Sequence, residues 1–148
     1  MIPMMNIIAW GKSVPWSELK QVEQDLIISR AIVALFSDSF LQKELRFRGG
    51  TALNKLHFPK PLRYSEDIDL ARTTAGPIGP VLDQVRSALE PWLGHADFVQ
   101  SPVAAKLFFH AEPEDKTATR IRLKAKIATR ERTAHDPTRT IPYAVNNP

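Results

Sequence analysis

The chain has 148 residues, enough for one domain with its own hydrophobic core but too few for two domains of ordinary size. Its 43% hydrophobic and 24% charged content is typical of a soluble globular protein, its net charge of +4 suits a phosphate-rich partner, and its lack of cysteine excludes disulfides and thiolate sites. No apolar run approaches the roughly 18 residues that span a bilayer, and residues 1–10 lack a basic start, so we expect a cytoplasmic protein without membrane contact.

Residues 1–44 are expected to form an N-terminal helical segment. Pro3 and Pro15 argue against a long helix at the start and predict an irregular stretch over residues 1–16. From Ser17 onward, apolar residues recur at intervals of two to four, and neither Gly nor Pro interrupts them before Ser37. This pattern predicts a buried helix of about five turns. Its apolar positions are Val22, Leu26, Ile28, Ile32, Leu35 and Phe36.

The first part of the expected core, residues 45–131, contains two predicted strands. Residues 45–48 alternate apolar and basic and stop at Gly49 and Gly50, as a short strand entering a tight turn would. Residues 51–57 predict a short helix, and residues 66–70 alternate acidic and apolar, which predicts the second strand.

The second part of the core predicts a helix and a β-hairpin. An amphipathic helix begins near Val81 and ends at Gly94. Strands are expected over residues 104–111 and 119–128, joined by a polar turn. The tail, residues 132–148, shows no clear period, and we treat residues 1–148 as a single domain.

Two short patterns carry possible chemistry. Gly49, Gly50 and Thr51 lie between a strand and a helix, where backbone N–H groups can bind a phosphate, although an ordinary tight turn has the same pattern. Asp67 and Asp69 are two apart on a strand, so both carboxylates leave one face and can bind a hard cation. A solvated strand face is the alternative for this pair, but the combination of both patterns favours a nucleoside triphosphate site.

Two sequence blocks resemble the AbiEii/AbiGii toxin family of nucleotidyltransferases, the toxic partners in type IV, abortive-infection toxin–antitoxin pairs. The first is Arg48-Gly49-Gly50-Thr51-Ala52-Leu53, and the second is Arg63-Tyr64-Ser65-Glu66-Asp67-Ile68-Asp69-Leu70. The resemblance implies an α/β (α+β) polymerase-β-like fold with a mixed sheet flanked by helices. It also implies Mg²⁺ (or Mn²⁺), a nucleoside triphosphate substrate, an acceptor that is RNA in related toxins, and an antitoxin partner.

The resemblance also assigns roles to residues. Gly49, Gly50 and Thr51 would hold the triphosphate, Asp67 and Asp69 the metal, and Arg63 and Ser65 would flank the nucleotide. The family usually shows Lys-x-Glu-x-Asn on a further strand, where this chain has Lys124, then Lys126 in place of the acid and Ala128 in place of Asn. The chain also stops before the C-terminal helical region in which the family carries another motif.

A basic row is expected on the strand that carries Lys124. Alternation places its apolar residues on one face and Arg120, Arg122, Lys124 and Lys126 on the other. Such a row can follow an RNA backbone or a triphosphate, or it can be a solvated charged face. We expect Lys124 to act as a catalytic phosphate contact beside Asp67 and Asp69, and Lys126 to contact nucleotide.

Three functional hypotheses follow. The first is a metal-dependent nucleotidyltransferase toxin. The second is a degraded or truncated member that binds nucleotide, RNA or antitoxin without turnover, an alternative favoured by Lys126. The third is a basic nucleic-acid-binding α/β domain without a nucleotide site. The pairing of Gly49 and Gly50 with Asp67 and Asp69 argues against the third, because a simple nucleic-acid binder needs neither pattern.

Overall fold

The computed structural model describes residues 2–16, 18–48, 67–73, 76–111 and 121–128. The predicted helix over residues 51–57, the turn at Gly49 and Gly50, and the tail over residues 132–148 lie outside this range. In chain order the described elements are α1 (Met4–Gly11), α2 (Leu19–Phe36), α3 (Ser39–Glu44), β1 (Leu45–Arg48), β2 (Asp67–Arg72), α4 (Gly79–Leu93), β3 (Asp97–Gln100), β4 (Ala104–Ala111) and β5 (Ile121–Ala128).

The five strands form one mixed sheet in the order β1-β2-β5-β4-β3. The pairing of β2 with β5 is parallel, whereas β1 with β2, β4 with β5, and β3 with β4 are antiparallel. The predicted mixed sheet is therefore confirmed. β5 is its middle strand, so residues on β5 have neighbours on both β2 and β4.

The helices α2 and α4 pack against one face of this sheet. The residues of β5 that face them are fully buried, and they are Ile121, Leu123, Ala125 and Ile127. α2 is buried over most of its circumference because it also packs against α1, α3 and α4. The buried amide of Gln24 on α2 donates a 3.0 Å hydrogen bond to the carbonyl oxygen of Arg122, which fixes the helix beneath β5.

The two long predicted helices and the predicted strand over residues 104–111 are observed. α2 has 18 residues, which is five turns at about 3.6 residues per turn. α4 ends at Gly94, whose φ of 85° lies in the left-handed region that glycine adopts without steric strain. None of the described helices is long and apolar enough to cross a bilayer.

The N-terminal prediction was wrong in one respect, because α1 is a regular helix where an irregular stretch was expected. Pro3 lies at the position before the first helical residue, where its fixed φ of −59° is compatible with helix entry. The indole nitrogen of Trp10 then donates to the Asp25 carboxylate at 2.6 Å, which holds α1 against α2.

Two described elements were not predicted individually: α3, which lies within the predicted helical segment of residues 1–44, and β3. α3 begins after Asp38, whose carboxylate accepts a hydrogen bond from the Leu41 N–H at 3.0 Å. All four residues of β3 are exposed, so the strand has no apolar alternation and depends on its pairing with β4.

Candidate functional site

Asp67 and Asp69 lie on the face of β2 opposite the helices. Between and after them, Ile68 and Leu70 are 0% and 1% exposed and pack into the core. The alternation predicted for this strand is therefore present, and β2 is an interior strand with β1 and β5 on its two sides. At about 3.3 Å per residue, the two aspartates begin about 7 Å apart along the backbone.

Lys124 and Lys126 lie directly beside the two aspartates on β5. The parallel register pairs Asp67 with Lys124 and Asp69 with Lys126. The Lys124 ammonium nitrogen is 3.3 Å from the Asp67 Oδ2 atom, and the side chains are 24% and 44% exposed. The outer face of the sheet therefore carries two carboxylates and two ammonium groups on neighbouring strands.

The end of β1 faces the start of β2, because Arg48 is in register with Asp69. The chain thus leaves β1 beside the aspartate pair. The predicted phosphate-binding residues that follow, Gly49, Gly50 and Thr51, lie outside the described residues, as do Arg63 and Ser65. Their proximity to Asp67 and Asp69 stays a prediction.

Two residues of this outer face, Lys106 and Phe108 on β4, were not among the candidates from sequence. The antiparallel register of β4 with β5 pairs Lys106 with Lys126 and Phe108 with Lys124. The guanidinium carbon of Arg122 lies 4.8 Å from the centre of the Phe108 ring. Alternation along β4 places Lys106 and Phe108 on one face, but only the strand pairing shows which residues they adjoin.

The donor set of this face suits one divalent cation. Within the described ranges there is no group of three His, Asp or Glu side chains that could bind a metal. Asp67 and Asp69 match in number the carboxylates through which Mg²⁺ is usually bound, since one or two carboxylates, water and substrate phosphates complete its shell. A second ion would need a further carboxylate, and Lys126 stands in register with Asp69 at the place where the resemblance expects one.

Two carboxyl groups with lowered pKa values lie outside this face. Hydrogen bonds from the Leu41 N–H and the Gln84 amide lower the pKa of Asp38, before α3. The Ala96 N–H, followed by the nearby Arg86 guanidinium, lowers the pKa of Glu90. Both groups stabilise helix ends, so their perturbation reflects structure and does not indicate a second reactive site.

Solved structures share this fold. A proposed nucleotidyltransferase from Helicobacter pylori aligns with 81% of this chain and 49% of its own length, at 20% identity and a TM-score of 0.53. The Helicobacter pylori protein JHP933 aligns over 84% and 50% of the two chains, at 21% identity and a TM-score of 0.56. The Mycobacterium tuberculosis H37Rv protein MenT4, a nucleotidyltransferase toxin, aligns with 88% of this chain and 44% of its own length, at 17% identity and a TM-score of 0.47.

The two Helicobacter pylori likenesses identify the architecture as polymerase-β-like, and the chain spans about half the length of the solved structures it matches. No curated protein matches the chain significantly. The family described as nucleotidyl transferase AbiEii toxin of the type IV toxin–antitoxin system matches residues 30–148, which include every strand of the sheet. On this match over most of its length, the chain belongs to the AbiEii family of nucleotidyltransferase toxins.

Proposed function

We propose that this chain transfers a nucleotide from a nucleoside triphosphate to an RNA acceptor, with Mg²⁺ or Mn²⁺ as cofactor. The observation that supports the proposal best is the outer face of β2 and β5, where Asp67 and Asp69 adjoin Lys124 and Lys126 in register. Cation ligands and phosphate-binding groups are thereby combined within two neighbouring strands. A simple nucleic-acid-binding surface has no need of the two carboxylates.

The residues would divide the work as follows. Asp67 and Asp69 would hold the divalent ion, which supplies charge neutralisation for the triphosphate when bound. Lys124 would bind a phosphate oxygen through its ammonium group, a compact point charge on a flexible stem. Lys126 would contact the nucleotide from the next position on the same face.

Gly49, Gly50 and Thr51 would bind phosphate oxygens through backbone N–H groups, and Arg63 and Ser65 would flank the nucleotide.

The proposed reaction joins one acceptor oxygen to the α-phosphate. An RNA hydroxyl attacks the α-phosphorus, the bond from that phosphorus to the bridging oxygen breaks, and pyrophosphate leaves with the bridging oxygen. The hydroxyl proton passes to water. Residues 45–131 would form the catalytic core of a single domain in the cytoplasm, and an antitoxin protein would be the inhibitory partner in keeping with the family.

A second candidate function is nucleotide, RNA or antitoxin binding without turnover. It is favoured by the charges of the same face, because Lys124 already pairs with Asp67 and Lys126 adjoins Asp69. Each aspartate of β2 thus has an ammonium group of β5 beside it. Such a balanced site can bind a phosphate without holding two metal ions.

A transfer assay separates the two functions. The chain is incubated with each α-labelled nucleoside triphosphate, Mg²⁺ and total RNA, and label in RNA is measured. We expect transfer by the wild type and its loss in Asp69→Asn. Asp83→Asn is the matched control, because Asp83 is exposed on α4, which packs against the opposite face of the sheet. Nucleotide binding without label in RNA would instead identify the non-catalytic binder.

A further inference from the structure

We propose that the outer face of β4 and β5 binds the single-stranded part of the acceptor RNA. This β4–β5 surface consists of Lys106 and Phe108 on β4 with Arg122 and Lys126 on β5. The inference rests on the proposed nucleotidyltransferase function and assigns residues that bind the acceptor. Three features of the surface support it: its charge, its aromatic ring and its position beside the aspartates.

The charge of the β4–β5 surface is positive. Lys106 and Lys126 are in register on neighbouring strands, and Arg122 lies four residues before Lys126 on the same face of β5. Lys124, between them, is already paired with Asp67. The carboxylate nearest this surface on β3 is Asp97, which is in register with Phe108 and is largely exposed. Asp69, in register with Lys126, is a second carboxylate, so three cations stand against two carboxylates and the net charge stays positive, which favours a polyanion as the occupant.

The aromatic ring of Phe108 favours a single-stranded nucleic acid over other polyanions. Arg122 is exposed, and its guanidinium group lies over the partly exposed Phe108 ring, 4.8 Å from the ring centre, so the two flat groups form a stacked pair with the guanidinium on the solvent side. Unpaired bases stack on such groups, whereas the bases of a duplex are already stacked on one another. An acidic protein segment would use the cations but would gain no stacking from the ring.

The β4–β5 surface is continuous with the aspartate pair. One row across the sheet runs Asp67, Lys124, Phe108, and the next runs Asp69, Lys126, Lys106. Because neighbouring strands are about 4.8 Å apart, Phe108 lies about 10 Å from Asp67 across the sheet. A strand of RNA bound on β4 and β5 would therefore have a nucleotide next to the position of the reaction.

A binding experiment tests this surface without requiring transfer. Fluorescence anisotropy of a labelled single-stranded RNA of mixed sequence is measured with the full chain over a series of salt concentrations. We expect Phe108→Leu, which keeps an apolar side chain, to weaken binding about tenfold. Lys106→Gln should reduce the slope of log affinity against log salt by about 0.7. Arg122→Lys should weaken binding while retaining the salt slope, because it keeps the charge and loses the planar group.

The control variant of this binding experiment, and the results that would overturn the proposed surface, differ from those of the transfer assay. Lys12→Gln removes one exposed charge next to α1, on the helical side of the molecule, and should leave RNA affinity unchanged. A chain that binds RNA through these residues but transfers no nucleotide would refute the proposed function alone. Unchanged RNA affinity in folded Phe108→Leu and Lys106→Gln variants would overturn the surface. Competition by a poly-glutamate peptide as strong as that by RNA, and insensitive to Phe108→Leu, would also overturn it in favour of a protein partner.

Discussion

Lys126→Gln and Lys126→Glu should tighten divalent-cation binding in two graded steps. Lys126 is in register with Asp69 on one side and with Lys106 on the other. An ion bound at Asp69 would thus lie about one strand spacing, roughly 5–6 Å, from the side chain at position 126. The first substitution removes one positive charge, and the second changes the charge by two units.

The size of each step follows from Coulomb's law. A unit charge and a divalent ion about 6 Å apart interact by about 1.4 kcal/mol in a medium as polar as water. The value for water is a lower limit, because Lys126 is only partly exposed and a less polar medium strengthens the interaction. Each unit of charge is therefore worth at least about tenfold in affinity at low salt, and less as salt screens the interaction. A glutamate oxygen that binds the ion would make the second step larger than the first.

Titration of the full chain with Mn²⁺, without nucleotide, measures these steps by calorimetry. Lys106→Gln is the matched control, because Lys106 lies one strand further away. At about 10 Å the same unit change is worth about 0.8 kcal/mol, or roughly fourfold in affinity. Equal Mn²⁺ affinities in the wild type and in both Lys126 variants would refute the placement of the cation beside Asp69.

A second titration, with a nucleoside triphosphate and Mg²⁺, separates two roles for Lys126. If the ammonium group only opposes the metal, both substitutions should tighten nucleotide binding along with metal binding. If it contacts the triphosphate, nucleotide affinity should fall from Lys to Gln to Glu while Mn²⁺ affinity rises. An unchanged nucleotide affinity together with an unchanged Mn²⁺ affinity would make Lys126 a solvated residue.

Three further substitutions test the site and the fold. Asp67→Asn should abolish transfer while changing the free energy of unfolding by less than about 1 kcal/mol, because its ion pair with Lys124 is partly exposed; label transfer and thermal melting check this. Glu90→Gln weakens the bond from the Ala96 N–H and should cost roughly 1–2 kcal/mol at neutral pH. Since the pKa of Glu90 is lowered from 4.5, its contribution is present above that pH and is lost as the pH falls below it, so urea melts of wild type and variant should converge in acid. Leu123→Ala should cost about 2–5 kcal/mol in the same melts, because the side chain is 1% exposed at the centre of the sheet.

The long helices and the longest strands were predictable because their own residues determine them. α2 and α4 each carry a sustained helical period, and Gly94 marks the end of α4 by its need for a positive φ. The alternation over Ala104–Ala111 predicted β4 with the observed bounds. In each case a local pattern and the tertiary packing favour the same structure.

The elements that escaped prediction depend on contacts distant in sequence. β3 has four exposed residues, and it forms a strand because its backbone pairs with that of β4. α1 was obscured by Pro3, and its stability comes from packing on α2, including the bond from Trp10 to Asp25. The sequence shows Pro3, but it does not show that Asp25 is the partner of Trp10.

The residues of the candidate site also differ in how far the local sequence could predict their positions. Alternation was enough to place Asp67 and Asp69 on one face of β2, and to place Lys124 and Lys126 on one face of β5. It could not supply the register between β2 and β5, which needs the whole sheet, and the family resemblance stood in for it. For Lys106 and Phe108 no motif was available, so their position beside the lysines emerged only from the pairing of β4 with β5.

The strand order places the two lysines of β5 between residues of two other strands. This position bears on how the proposed reaction would be arranged. β5 lies between the aspartate strand, β2, and the strand that carries Lys106 and Phe108, β4. A triphosphate bound at Asp67 and Asp69 would therefore meet an acceptor bound on β4 across the side chains of Lys124 and Lys126. In that arrangement the ammonium at Lys126 reduces repulsion between two polyanions, a task that a carboxylate at the same position could not perform. The Lys126→Glu variant would then bind metal more tightly and RNA more weakly. The rate of transfer by this variant would reflect both effects, which oppose each other.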